Sequence, residues 1–357
     1  MSRARIVGWG KHLPSKVVTN DDLALLVATS DEWIRSRTGI QARRIAQDDE
    51  GAASLGALAA RAALTRAGIA PTELDLIICA TATPDRIFPA TASLIQHAVG
   101  ATRAAAFDLS AACSGFVYAL VTAAQFIASG AYRTVLVVGS EVYSRIIDWS
   151  DRSTCVLFGD GAGAMVLQAT EEPEGLLSFT LGSDGSGADL LYVPCATGPV
   201  ASQPPNGRPA LQMAGGEVFK FAVQAIGDSV RAVAANAGVS LDAIDLVIAH
   251  QANERILRTA AKQLGLPARK FYQNLQRYGN TSAASIPIAF TEAIEEGKLR
   301  PGDRVVLVGF GGGLSWGAAL IQFGVRSPAA PRSALPASLW RRIQALGRHL
   351  ALPTRTS

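Results

Sequence analysis

No CxxC pair occurs among the four cysteines (Cys79, Cys113, Cys155, Cys195), and none stands at metal-ligand spacing from one of the four histidines. That argues against a disulfide framework and a Cys/His metal site, and fits free thiols in a reducing cytoplasm. Also missing is any run of eighteen or more apolar residues without charges or turn signals, so no transmembrane segment is expected. The opening SRARIVGWG has neither an apolar core nor a small-residue cleavage site, so no signal peptide is expected. Charged residues are scarce, 17% against 49% hydrophobic, the composition of a chain with much buried surface and not of a disordered one.

What is present begins with 357 residues, enough for two core-forming units or one large α/β domain. The net charge of +4 first suggests nucleic acid. However, residues 326–357 hold six arginines and no acid, which leaves the rest of the chain at −2. A nearly neutral body without a nucleic-acid motif argues against that partner.

The chain is written twice. AGIAPTELDLII (67–78) reappears as AGVSLDAIDLVI (237–248), and TVLVVG (134–139) as RVVLVG (304–309), both at a gapless offset of 170. Each copy has a helix ending in Ala-Gly, a short loop, a buried β-branched strand and a later strand of the same kind. A looser pairing at offset 167 matches Gly130 with Gly297 and Cys113 with Asn280. Alternating strands and helices imply sheets covered by helices. Two copies imply two such units about a pseudo-twofold axis.

Cys113 lies in AFDLSAACSGFVYALVTAAQFIASG, where a strand leads through small residues into a long apolar helix. A cysteine at a helix start meets the macrodipole and free N–H groups, which favour thiolate and can cradle an oxyanion. A buried structural cysteine is the other reading, and it is the one taken for Cys79; Cys155 and Cys195 also read as structural, the latter on a Pro/Gly loop. His250, in IDLVIAHQANERI, ends a buried strand, where catalytic groups of α/β sheets gather. A histidine satisfied by core hydrogen bonds remains open there. Asn280, in RYGNTSAASIPIAF, could equally cap the helix that follows. GFGGGLSWG (309–317) places three glycines after a buried strand, so that backbone N–H groups can turn toward a ligand. It lacks a Gly-Lys-Ser/Thr ending and no GxGxxG with a suitable acid accompanies it, which weakens nucleotide readings.

DLSAACSGF, HQANERI, GNTSAASIP and GFGGGLSWG, in this order, resemble the β-ketoacyl-acyl-carrier-protein synthase III family of the thiolase superfamily. The likeness runs from residue 5 to about 323 and includes TSDEWIRSRTGI (29–40) and FGDGAGA (158–164). Thiolases use a second cysteine and elongating ketosynthases a second histidine. Asn280 in that place favours the priming type or its plant polyketide cousins. The resemblance implies a thiolase-like α/β fold: duplicated βαβαβ halves (1–172 and 173–325) with two central mixed sheets in a five-layer αβαβα arrangement. It also implies a cytoplasmic homodimer with no permanently bound cofactor and no metal, whose substrates are acyl-CoA and malonyl-acyl carrier protein.

The implied reaction is ping-pong. Cys113 takes an acyl group from CoA. Malonyl-carrier protein then loses CO₂ and its carbanion attacks the thioester, His250 and Asn280 donating hydrogen bonds to the enolate. Backbone N–H groups of Cys113 and Gly312 would form the oxyanion hole. By family position Trp33, Arg37 and Arg152 hold the nucleotide end of CoA, and Gly215 and Asn253 line the pantetheine tunnel. The acyl pocket falls to Phe88, Phe158 and Phe310. Phe88 crosses from the partner copy, and its ring suggests an acetyl or small branched starter. Arg255, Arg258 and Lys262 form one helical face beside His250 and, with Lys220, would dock an acidic carrier protein; a solvated charged face is the other reading.

Beyond the family's usual end, residues 326–357 add a Pro/Ala/Ser linker and a possible short helix with Leu339, Ile343, Leu346 and Leu350 opposite arginines. A loosely packed terminal helix and an anchor for acidic lipid or an acidic partner are both open. Three rivals contend with the condensing enzyme. One is a cysteine hydrolase with Cys, His and Asn in the same order. The others are an acyltransferase or condensing enzyme of polyketide and secondary metabolism, and a non-catalytic binding subunit.

Overall fold

Two largely apolar segments, residues 76–80 and 134–142, are buried along their whole length, as central strands covered on both faces must be. The computed structural model describes residues 2–195 and 210–324; the tail at 326–357, with its possible helix, lies outside them. The first half runs β1 (Arg3–His12), β2 (Lys16–Thr19), α1 (Asn20–Ala24), α2 (Asp31–Thr38), β3 (Ala42–Ile45), α3 (Ala52–Ala67), β4 (Leu76–Ala80), α4 (Thr91–Val99), β5 (Ala105–Leu109), α5 (Gly115–Ala128), β6 (Thr134–Val142) and β7 (Asp160–Thr170). The second runs β8 (Gly175–Ser183), β9 (Leu191–Tyr192), β10 (Gln212–Met213), α6 (Gly215–Asn236), β11 (Leu246–Ala249), α7 (Glu254–Leu264), α8 (Leu275–Tyr278), α9 (Ser285–Glu295), β12 (Arg304–Gly311) and β13 (Ser315–Gln322).

One mixed sheet has the order β1-β7-β6-β4-β5 and the other β11-β12-β13-β8. In each, the two copies of the repeated strand pair run parallel (β4 with β6, β11 with β12) and the next strand turns antiparallel (β7, β13). Helices α5 and α9 touch both sheets, α3 and α4 cover the far face of the first, and α6 packs on the far face of the second. The layers are therefore αβαβα. One core fills the middle layer, with Phe116, Leu120 and Phe290 between strands of both sheets. Residues 1–324 form one compact unit, and the boundary drawn at 172/173 falls in the turn between β7 and β8. Among the described residues no helix is long and apolar enough to cross a membrane.

The repeat governs more of the chain than the two matched segments. A 3-10 turn at Ala112–Ser114 precedes α5 and another at Ser282–Ala284 precedes α9, again 170 residues apart. Their first residues, Ala112 and Ser282, share a left-handed backbone at φ 45° and 48°, costly for residues with a Cβ and typical of functional turns. This corrects the looser pairing. Cys113 corresponds to Ala283, and Asn280 to Ser110. The offset of 167 arises later, because α9 has 11 residues where α5 has 14. The two turns meet at the middle of the molecule. Glycine makes the approach possible: a Cβ on Gly139 of β6 would fall 2.4 Å from the Ala283 carbonyl oxygen, and one on Gly309 of β12 would fall 2.9 Å from the Ser114 Cα.

Candidate active site

Cys113 sits in the first of these turns, one residue before Ser114, which caps the approach to α5. The turn is tied down by the Ser114 hydroxyl, which bonds the Ala111 carbonyl at 2.7 Å and the Ser315 hydroxyl at 2.8 Å. The triple-glycine turn after β12 presses against it: a Cβ on Gly311 would lie 2.8 Å from the Cys113 Cβ. Cys113 is 4% exposed. Burial pushes its thiol up to about 11, ahead of the Ser282 and Tyr143 hydrogen bonds that lower it. A helix start supplies at most about 2 kcal/mol, roughly one and a half pK units. Burial therefore works against the thiolate that the helix start favours.

His250 follows β11 with its backbone N–H on the Val308 carbonyl at 2.8 Å. Its Nδ1 lies 2.7 Å from the Ser285 hydroxyl, and its ring stands edge-on to Phe310 at 5.1 Å. Burial lowers it to about 3, so the imidazole is neutral at physiological pH. Asn280 is held by its backbone between Leu157 and Gly159. Its Oδ1 accepts the Ser282 N–H at 2.8 Å, which satisfies the turn and leaves the amide NH₂ as a donor. Capping and lining the site are thus compatible roles.

Cys113, His250 and Asn280 line one cavity of about 320 Å³ together with Phe158, Phe310, Gly312, Gly215 and Asn253. Its wall is otherwise largely apolar, with Leu191, Val193, Leu211, Met213, Phe219 and Ile256. Trp33, Arg37 and Arg152 are not in that lining but assemble beside it. The Arg37 and Arg152 guanidinium carbons lie 4.9 and 4.8 Å from the Trp33 ring centroid. The Asn253 side chain joins this cluster to the cavity, donating to the Arg37 carbonyl at 3.1 Å. Arg255, Arg258 and Lys262 are exposed on α7, with Arg258 3.8 Å from Glu254. Lys220 is exposed on α6 and paired with Glu217 at 2.9 Å. Phe88 is 83% exposed and does not line the cavity of its own chain. Cys79 and Cys155 are fully buried and away from the lining.

Three residues connected to Cys113 escaped the sequence reading. Tyr143 lines the cavity, stacks on Phe158 at 5.1 Å and bonds the Cys113 thiol. Ser282 Oγ lies 3.0 Å from the Tyr143 hydroxyl and 2.9 Å from Glu141 Oε1. Glu141 is fully buried, with burial raising its carboxyl to about 7. The available signal was an acid inside the apolar strand TVLVVGSEV.

A cysteine, a neutral histidine and an asparagine around one apolar cavity, carried by a duplicated five-layer framework, define a condensing acyltransferase of the thiolase fold. Comparison with known proteins narrows this. Residues 107–185 match the model described as 3-oxoacyl-[acyl-carrier-protein (ACP)] synthase III, and residues 234–323 its C-terminal model. The β-ketoacyl-[acyl-carrier-protein] synthase III of Symbiobacterium thermophilum is 51% identical over 322 residues, 89% of this chain and 98% of that protein. The crystal structure of 3-oxoacyl-[acyl-carrier-protein] synthase III from Aquifex aeolicus superposes with a TM-score of 0.84 at 48% identity, covering 90% of this chain and all of that one. A priming β-ketosynthase from the R1128 polyketide pathway gives 0.85 at 36% identity, covering 90% and 96%. The chain belongs to the β-ketoacyl-acyl-carrier-protein synthase III family.

Proposed function

We propose that the chain performs the initiating condensation of type II fatty acid synthesis. An acyl group passes from CoA to Cys113 and is then joined to malonyl-acyl carrier protein with loss of CO₂. One observation carries this reading: the buried thiol shares its cavity with two neutral hydrogen-bond donors and no charged base. Decarboxylation leaves an enolate whose oxygen needs donors. The neutral His250 and the free amide of Asn280 supply them without competing for a proton. The N–H groups of Cys113 and Gly312 receive the tetrahedral oxyanion. Relatives named as synthases of this step match at about half identity, the polyketide enzyme at 36%, so fatty acid initiation is preferred.

Trp33 between Arg37 and Arg152 suits an adenine and phosphates, and Asn253 connects that cluster to the apolar passage for pantetheine. The carrier protein docks on α7 at Arg255, Arg258 and Lys262, with Lys220 nearby on α6. A homodimer, working in the cytoplasm where CoA thioesters and reduced thiols occur, completes the reading. The sheet edge β5 is only half-covered, and Ile87 and Phe88 project at 81% and 83% exposure. From there Phe88 reaches a second copy's acyl pocket and favours a short starter.

Mass spectrometry after incubation with a panel of acyl-CoAs tests the reading. Acetyl or small branched groups should load on Cys113 and disappear as 3-oxoacyl product when malonyl-carrier protein is added. Cys113→Ala should take no label. His250→Ala should load normally and lose about 100-fold or more in decarboxylation, the loss seen when one such donor is removed. Acylation elsewhere, or unimpaired decarboxylation by His250→Ala, would sink it.

A further inference from the structure

The proton on Cys113 has no evident destination among the residues assigned so far. His250, lowered to about 3 by burial, cannot hold it at neutral pH. Asn280 cannot accept it. We propose that Glu141 is the proton acceptor of the nucleophile, reached through the Ser282 hydroxyl. This rests on the reading of Cys113 as the acyl carrier.

The geometry is a short buried chain. Ser282 and Tyr143 both act on the Cys113 thiol, lowering it against the effect of burial, and the Ser282 hydroxyl donates to Glu141 Oε1 at 2.9 Å. Ser282 is fully buried and takes the strained φ of 48° that aims it between the two groups. The other carboxylate oxygen is held by Thr83 Oγ1 at 2.7 Å, Ala82 N at 3.0 Å and Thr81 Oγ1 at 3.2 Å. Oε1 takes the Ser282 hydroxyl, and the Ala283 backbone N–H of the same turn also bonds the carboxylate. Buried Glu292, by contrast, pairs with Lys11 and Arg277; Glu141 forms no ion pair among the described residues. Burying a carboxylate without a cation is costly. A carboxyl near neutral proton affinity is what a general base operating at neutral pH requires. The ionisable groups facing Glu141 are Cys79 from β4, Cys113 from the turn before α5 and Tyr143 after β6. None carries positive charge.

In the acylation step the Cys113 S–H proton passes to Ser282 Oγ while the Ser282 proton passes to ionised Glu141. The sulfur forms its bond to the acyl carbon, the acyl–S(CoA) bond breaks, and the CoA thiolate takes a proton from water. Glu141 keeps its proton through the acyl-enzyme stage. When condensation breaks the acyl–Cys113 bond, the released thiolate recovers that proton along the same chain. The net reaction consumes one proton, the one that ended on CoA.

The test is the pH profile of Cys113 alkylation by iodoacetamide in the full-length enzyme, read on the Cys113 peptide by mass spectrometry. The parent rate should rise through a step near the Glu141 ionisation and level above it. Glu141→Gln keeps the shape, because the Ser282 hydroxyl can turn to accept from the amide. It should lose the step and about 100-fold of the rate on the plateau, the scale of general-base assistance. Ser282→Gly tolerates the left-handed backbone, removes the hydroxyl and should lose the same step. Retention of the step in Glu141→Gln overturns the proposal, and so does an equal drop at every pH, which marks a purely structural brace. Should Glu141→Gln fail to fold, a step retained in Ser282→Gly overturns it. Acetyl-CoA loading of the parent enzyme is measured alongside. If Cys113 takes no acyl group the acyl-carrier reading fails, whereas loading without the pH step removes only the role of Glu141.

Discussion

At the scale of single residues, the site depends on atoms that are missing as much as on those present. Gly311 lies against Cys113 so closely that an added methyl would sit 2.8 Å from its Cβ and 3.0 Å from its backbone nitrogen. Neither neighbour is a flexible side-chain end. Gly311→Ala should therefore displace the nucleophile, destabilise the fold by about 1–3 kcal/mol and slow acyl loading by about 100-fold, as ångström-scale misplacement does. Gly215 lines the same cavity, but its Cβ would meet only the flexible Met213 Cε, at 3.6 Å, so Gly215→Ala should load within a few-fold of the parent. Single-turnover labelling with acetyl-CoA distinguishes the two. Equal behaviour would mean that steric contact with the nucleophile is not what Gly311 controls. The residues that were legible are those set in linear motifs: Cys113, His250 and Asn280 each stand beside glycines or small residues whose purpose is local. Glu141, Tyr143 and Ser282 were not, because their bonds join parts of the chain 139–141 residues apart. Each alone reads as an ordinary strand or turn residue.

Among elements, α7 connects the chemistry with the surface. Its start is capped by the Asn253 side chain on the Arg255 N–H at 2.8 Å. Its inner face buries Ile256, Leu257, Ala260 and Ala261, which leaves Arg255, Arg258 and Lys262 outside. Arg258 is drawn toward Glu254, while Arg255 reaches over the Phe219 ring at 5.7 Å, a residue of the cavity wall. Charge reversal at Arg255 should therefore weaken the second substrate more than the first. Arg255→Glu should raise the KM for malonyl-carrier protein about 10-fold at low salt, less at high salt, with CoA-dependent loading of Cys113 little changed. Equal losses in both half-reactions would remove the docking role. The repeat shows the reach and the limit of reading elements from sequence. The strands β4 and β11, and β6 and β12, were visible because each carries a run of aliphatic residues buried on both faces. The correspondence of Cys113 with Asn280 was three residues off, because α9 is shorter than α5 and a glycine at the helix end reports length, not register.

Over the whole molecule, two buried groups set opposite slopes of stability against pH. Glu141 titrates near 4.5 when unfolded and about 7 in the fold. Its contribution is complete below 4.5 and is lost as pH rises through 7, at about 3 kcal/mol in all. His250 titrates near 6.5 unfolded and about 3 folded. Its contribution is present above 6.5 and is lost as pH falls toward 3. Both groups belong to one compact unit in which the halves share their middle layer, so their effects should appear in a single cooperative transition. Glu141→Gln removes only the first slope. Against the parent, its relative stability should improve by about 3 kcal/mol between pH 4.5 and 8, whatever constant offset the lost carboxylate bonds impose. Denaturant midpoints across that range measure the difference directly. A gap between the two proteins that stays constant with pH would mean that Glu141 is ionised throughout, and a carboxylate already charged at pH 5 could not produce a step in Cys113 reactivity near neutrality. If Glu141 takes the Cys113 proton, the same ionisation links the stability of the framework to the reactivity of Cys113.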